Sequence, residues 1–158
     1  MTNRQIAAVL FNISSILARQ HANPYRIRAY RRAARNLLRL RHEVADRVKN
    51  GQPLGIPRLG KSLTEKIRAL ASEGRLPFYE ELCGTLPEGR LLLVPGIGPT
   101  TASRILRDLG KADDATLRRA AALGKLQRIW GVGPKRAAAI LDAVGPAEIG
   151  VRQERLAI

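Results

Sequence analysis

A chain of 158 residues with 45% apolar side chains can bury the core of one domain or two very small ones, which excludes a disordered polyelectrolyte. A single cysteine, Cys83, and two histidines, His21 and His42, exclude an internal disulfide framework and leave no thiolate or imidazole set for a metal site. The 28 basic residues outnumber the 13 acidic ones to give +15, an excess that repels itself in a compact fold unless an anionic partner neutralises it.

The first predicted helix begins at Thr2 or Asn3, either of which can cap it, and carries Ile6, Val9, Leu10, Ile13, Ile16 and Leu17 at helical spacing. Asn23-Pro24 breaks the chain and restarts it, because proline suits the first turn of a helix. The second helix runs from Pro24 to about Leu40 and buries Ile27, Tyr30, Ala34 and Leu37 with Leu38. Its other face holds Arg26, Arg28, Arg31, Arg32, Arg35 and Arg39. Arg28, Arg32, Arg35 and Arg39 form one stripe, an arrangement that repels itself unless a polyanion lies across it. Residues 1–50 hold 11 basic and 2 acidic groups, making this third the most positive. Nucleic acid is the expected partner, since neutralising phosphates releases counterions and rewards a basic face.

A repeat follows. Ile56-Pro57-Arg58-Leu59-Gly60, Val94-Pro95-Gly96-Ile97-Gly98 and Ile129-Trp130-Gly131-Val132-Gly133 each lead into a helix start. Glycines permit a tight turn and close backbone approach, and the open N–H groups of the following helix suit a phosphate. No alternating, β-branched segment occurs, so the expected fold is an all-α, compact helical bundle with three such turns. The apolar runs are too short for a bilayer and Met1–Ala22 lacks the pattern of a signal peptide, so the expectation is a cytoplasmic, nucleoid-associated protein with no membrane partner.

The three turns resemble helix-hairpin-helix motifs, which bind the DNA backbone without reading sequence. The second and third match that pattern fully. The first has Arg58 where the leading glycine stands, so its hairpin is expected to be distorted or to contact phosphate by side chain. A wider resemblance covers nearly the whole chain. The order of Tyr25-Arg26-Ile27-Arg28-Ala29-Tyr30-Arg31-Arg32-Ala33-Ala34, the first hairpin with Glu65-Lys66-Ile67, then Gly74-Arg75-Leu76-Pro77-Phe78-Tyr79-Glu80-Glu81-Leu82, resembles the N-terminal lyase and fingers regions of family X DNA polymerases. The catalytic palm of that family has no counterpart here: the one adjacent aspartate pair, Asp113-Asp114, reads as a helix cap, so this chain is not expected to polymerise DNA.

The resemblance implies two parts, a lyase-like bundle with the partial hairpin over 1–84 and a hairpin pair with a C-terminal tail over 85–158. It places Lys66 as the nucleophile of an abasic-site or 5′-deoxyribose-phosphate lyase, a base-excision-repair activity that works through a Schiff base and β-elimination. Glu65 or a water takes the sugar proton. That chemistry needs a neutral amine, which cationic neighbours and burial favour; Arg26, Arg28, Lys61 and Arg68 are the expected neighbours. Arg26 and Tyr30 match the residues that hold the sugar and its 5′-phosphate, with Lys61 adding a phosphate contact. Arg28, Arg32, Arg35, Arg58, Gly60, Gly96, Gly98, Thr100, Gly131, Gly133, Lys135 and Arg136 complete the expected DNA-contacting set.

Two departures from the family stand out: Ser62 replaces a second lysine of that helix, and Leu54 replaces a basic residue before the hairpin. No organic cofactor or metal is expected, apart from the monovalent cation that the family often holds at its hairpin loops. Expected partners are gapped, nicked or abasic DNA and a repair polymerase or ligase. The alternatives are a non-catalytic hairpin module that binds the DNA backbone beside a partner repair enzyme, and an RNA or ribosome-associated protein. Trp130 is expected to pack in the core of its own hairpin, with stacking on a nucleotide as the alternative; Cys83 is expected to be buried, and His21 to end a helix in solvent.

Overall fold

The structure, a computed structural model, describes residues 1–145; the expected amphipathic tail at 151–158 lies outside the described residues. Nine α-helices and one 3-10 turn make up these residues, with no strand among them, as the all-α expectation requires.

Helix α1 (Asn3–Arg19) begins with a capping box in which the Thr2 side chain accepts from Gln5 N–H while Gln5 reaches back to Thr2. Its stripe of Ile6, Leu10, Ile13, Ile16 and Leu17 is buried. Each such side chain contributes about 1.5–3 kcal/mol by leaving water. Asn3 does something the sequence did not suggest. Its Oδ1 accepts from Val44 N–H at 2.9 Å and its Nδ2 donates to the His42 carbonyl at 2.7 Å. It thus caps α3 (Val44–Lys49), which has no side-chain cap of its own, from a position 41 residues earlier in the chain.

Helix α2 (Pro24–Arg39) starts with Asn23 accepting from Tyr25 N–H and Pro24 in the first turn. It forms the most extensive helix pair of the fold with α1, burying Ile27, Tyr30, Ala33, Ala34 and Leu37. Leu38, expected inside with Leu37, is 52% exposed, because it falls one residue off the buried stripe onto the side facing solvent.

Helix α3, the turn at Ile56–Gly60 and α4 (Lys61–Glu73) form the first hairpin. The Arg58 backbone takes φ +54°, the left-handed conformation that the leading glycines of the other hairpins take, at +85° in Gly96 and +87° in Gly131. The hairpin is therefore not distorted; it holds its shape against roughly 1–2 kcal/mol of local strain. Leu54, where the family has a basic residue, is buried, and its carbonyl is 2.8 Å from His42 Nε2.

Helix α5 (Pro77–Gly84) packs on α1 and leads into α6 (Gly89–Leu92) and α7 (Pro99–Leu109), the second hairpin. Across residues 84 and 85 the core is continuous. Asn12 donates to Tyr79 Oη at 2.8 Å, Tyr79 donates to the Leu92 carbonyl at 2.6 Å, and Arg19 pairs with Glu88. Cys83 is buried as expected, and burial pushes its thiol up to about 11.

Helix α8 (Asp114–Ala122) is capped by Asp113, which accepts from Thr116 N–H at 2.7 Å. A 3-10 turn at Leu126–Arg128 and α9 (Pro134–Val144) complete the third hairpin. Arg90 and Arg118 donate to the Ala143 and Val144 carbonyls, closing the C-terminal end of α9 with positive charge.

Candidate nucleic-acid interface and lysine site

The three helices that follow the hairpins begin alike. Gly60, Gly98 and Gly133 are N-cap residues in extended conformation, and none supplies a side-chain cap. The first-turn N–H groups of α4, α7 and α9 are left to an outside acceptor. Among the described residues, nothing beyond the chain neighbours lies within 4 Å of where a Cβ would stand on any of the three glycines. Their value is thus the access they give to the backbone.

Helix α2 presents its charge outward. Arg28, Arg32, Arg35 and Arg39 are all exposed, and among the described residues none forms a salt bridge. Between this helix and the first hairpin lies a cleft of about 250 Å³. Arg26, Tyr30, Arg32, Arg58 and Gly60 line it, bringing five of the expected residues to one place, together with Asn36 and Ser62. Tyr30 is buried with its side chain at the cleft wall; burial raises its pKa, and the adjacent Arg26 guanidinium pulls it partly back.

Lys66 stands on α4 one turn beyond Ser62, and its Nζ donates to Ser62 Oγ at 2.6 Å. It also lies 5.0 Å from the centre of the Phe78 ring. The Arg26 guanidinium lies 5.4 Å from the same ring, so two cations from different helices share one aromatic side chain. Burial first and the Arg26 charge second lower the Lys66 pKa, against Glu65, whose carboxylate raises it. Of the four expected neighbours, Arg26 is the one whose charge acts on Lys66. Arg28 instead stacks over Tyr25 at 5.5 Å, since it points off the other side of α2. Lys61, at the first position of α4, and Glu65 are exposed.

Ser62 and Phe78 were not among the expected site residues. Ser62 stands out in the sequence as a departure from the family, and nothing local marks Phe78, twelve residues on and in α5, as facing Lys66.

The second and third hairpins form a separate cluster. Gly96, Gly98, Thr100, Gly131, Gly133 and Lys135 lie on its surface. Arg136, expected to contact phosphate, joins the two loops: Nε donates to the Gly96 carbonyl at 3.0 Å and Nη1 to the Gly131 carbonyl at 2.6 Å. A monovalent cation at these loops would have to be held by their other carbonyls. Trp130 does not pack inside its hairpin. It is 75% exposed, with the Arg104 guanidinium 4.1 Å from its ring centre. Gly131 takes φ +87°, which strains any larger residue there, and a Cβ would stand 3.2 Å from the movable Arg104 Nη1.

Among the described residues no helix is long and apolar enough to cross a membrane, and no cluster of histidine, cysteine or carboxylate side chains could hold a metal ion. Residues 1–76 match the family model described as a helix-hairpin-helix domain. The chain is also 28% identical, over 162 aligned positions, to the DNA polymerase/3'-5' exonuclease PolX of Bacillus subtilis (strain 168). That match takes in 100% of this chain and 27% of the relative, so the chain spans about a quarter of the relative's length. Both findings agree with the resemblance to the N-terminal region of family X DNA polymerases.

Proposed function

We propose that this protein binds the DNA backbone and acts as a lyase on abasic or 5′-deoxyribose-phosphate sugars through Lys66. Helix-hairpin-helix similarity and likeness to a DNA polymerase support the DNA-binding part. The observation that carries the chemistry is the hydrogen bond from Lys66 to Ser62, which together with Arg26 lines an arginine-bearing cleft of about 250 Å³, Lys66 itself standing outside that lining.

In this reading the stripe on α2 and the open starts of α4, α7 and α9 take phosphates along one strand path. Arg26, Arg32 and Arg58 hold the sugar's phosphate in the cleft, with Tyr30 forming its wall. Neutral Lys66 attacks C1′ of the ring-opened sugar, and loss of water leaves an imine. Glu65 or a water removes the C2′ proton, the C3′–O bond breaks with departure of the 3′-phosphate, and hydrolysis of the imine returns the lysine. Lys66 must shed its proton first, and a lowered pKa raises the fraction ready to react. A gapped, nicked or abasic duplex is the substrate class, and a repair polymerase or ligase the fitting partner.

Borohydride trapping of the imine on abasic DNA tests this reading. A covalent adduct that requires Lys66 supports it. Tight binding with no adduct leaves a non-catalytic hairpin module, and a preference for structured RNA over gapped DNA at matched salt overturns the DNA assignment.

A further inference from the structure

Trp130 is the one tryptophan of the chain, and the proposed chemistry does not use it. Large aromatic side chains normally gain by leaving water, yet this one is 75% exposed. It is also held in place. Arg104, from α7 of the second hairpin, lies 4.1 Å from the centre of an indole belonging to the third hairpin. Arg136 ties the same two loops together through the Gly96 and Gly131 carbonyls. The indole therefore sits where the second and third hairpins meet, against Arg104 of α7. Arg104 also lines an open groove of about 550 Å³ with Arg19, Thr100, Ser103 and Arg107.

Given the DNA-binding reading above, on which this inference rests, we propose that the Trp130–Arg104 pair is a stacking platform for an unpaired base. The groove beside it and the two helix starts favour a polyanion, and the ring offers the flat apolar face on which a base stacks. Every base has such a face, so the platform reads no sequence. What it discriminates is stacking state: a base already stacked on both sides in an intact duplex has no face to give, whereas one at a gap or in a single strand has. The hairpin pair would thus recognise the interruption in the duplex and not only its backbone. A protein partner anchored on the same Trp–Arg pair is the competing occupant, and the charge around it disfavours that choice.

Because tryptophan emission from this protein comes from Trp130 alone, binding and stacking can be read separately. Labelled duplexes, one intact and one with a single-nucleotide gap, are titrated at matched salt. Anisotropy reports binding, and tryptophan emission with acrylamide quenching reports the indole. The expected result is strong quenching and loss of acrylamide access on the gapped duplex, with emission on the intact duplex close to that of the free protein.

Trp130→Ala should lose about tenfold of the preference for gapped DNA, and Trp130→Phe should retain most of it. An exposed position makes unfolding of either variant easy to exclude by its melting temperature. Binding of both duplexes with the same emission, or an unchanged preference in Trp130→Ala, overturns the platform and leaves backbone binding intact. Absence of binding by anisotropy overturns the DNA reading and the platform together.

Discussion

Lys66 Nζ and the Arg26 guanidinium approach the same Phe78 ring, at 5.0 and 5.4 Å from its centre, although they belong to different helices. Two positive charges gathered so closely disfavour each other, and Lys66 is the one that can relieve the strain by losing a proton. Burial and the Arg26 charge together outweigh the opposing Glu65 carboxylate, which makes Lys66 readier than an ordinary helix lysine to give up its proton.

The pH dependence of imine trapping should show this. Burial and Arg26 lower the Lys66 pKa from that of a free lysine, so the trapping rate should rise with pH and level off below the range of a free lysine. Replacing Arg26 by Gln removes the cation and should move the rise to higher pH, with the rate above the rise retained in part. A profile that stays in place in Arg26→Gln would show that Arg26 does not tune Lys66.

The hairpin glycines separate folding from binding. Gly98 and Gly133 have open space where a Cβ would stand, so Gly98→Val and Gly133→Val should melt within a few degrees of the parent. Their DNA affinity should fall about tenfold or more, because the side chain blocks a phosphate from the helix start. Gly89 is the contrast. A Cβ there would lie 1.6 Å from the Cys83 carbonyl oxygen, so Gly89→Ala should unfold the protein or lower its melting point steeply.

Salt dependence should sort the arginines. Each exposed arginine of the α2 stripe that neutralises a phosphate adds about 0.9 to the slope of log affinity against log salt. Replacing Arg28, Arg32, Arg35 and Arg39 one at a time by Ala should each lower that slope by about one and weaken all DNA sequences alike. Arg136→Ala should weaken binding with little change of slope, since its guanidinium holds the Gly96 and Gly131 carbonyls.

The buried Asn12–Tyr79–Leu92 relay joins α1, α5 and the second hairpin. Tyr79→Phe leaves the Asn12 amide and the Leu92 carbonyl without their partner, at a cost of about 1–3 kcal/mol. Urea unfolding should report that loss, with the lyase adduct still formed at low denaturant.

What the sequence made legible was whatever depends on local spacing. The buried stripe of α1, the Asn23-Pro24 restart, the Asp113 cap and the exposed arginines of α2 follow from periodicity and helix-end chemistry, and the repeated turns announced three open helix starts. Contacts across the fold were hidden. Asn3 looked like a cap for its own helix and instead caps α3 some 40 residues away, at Val44 N–H. Trp130 looked like a core aromatic, because nothing nearby in sequence shows that Arg104 would hold it in solvent. Arg58 looked like damage to a hairpin, yet its backbone accepts the left-handed conformation. Lys66 is placed by resemblance; Ser62, four residues before it on α4, is legible from helical spacing, whereas Phe78, twelve residues on and in another helix, carries no local signal.

The most direct test is sodium borohydride reduction of the protein on DNA bearing a 5′-deoxyribose phosphate, with Lys66→Ala in parallel and affinity measured for both. The account predicts a covalent adduct with the parent, none with Lys66→Ala, and nearly equal affinities. An adduct of equal yield in Lys66→Ala would contradict the assignment of the nucleophile. No adduct from a parent that binds the same DNA tightly would contradict the lyase itself.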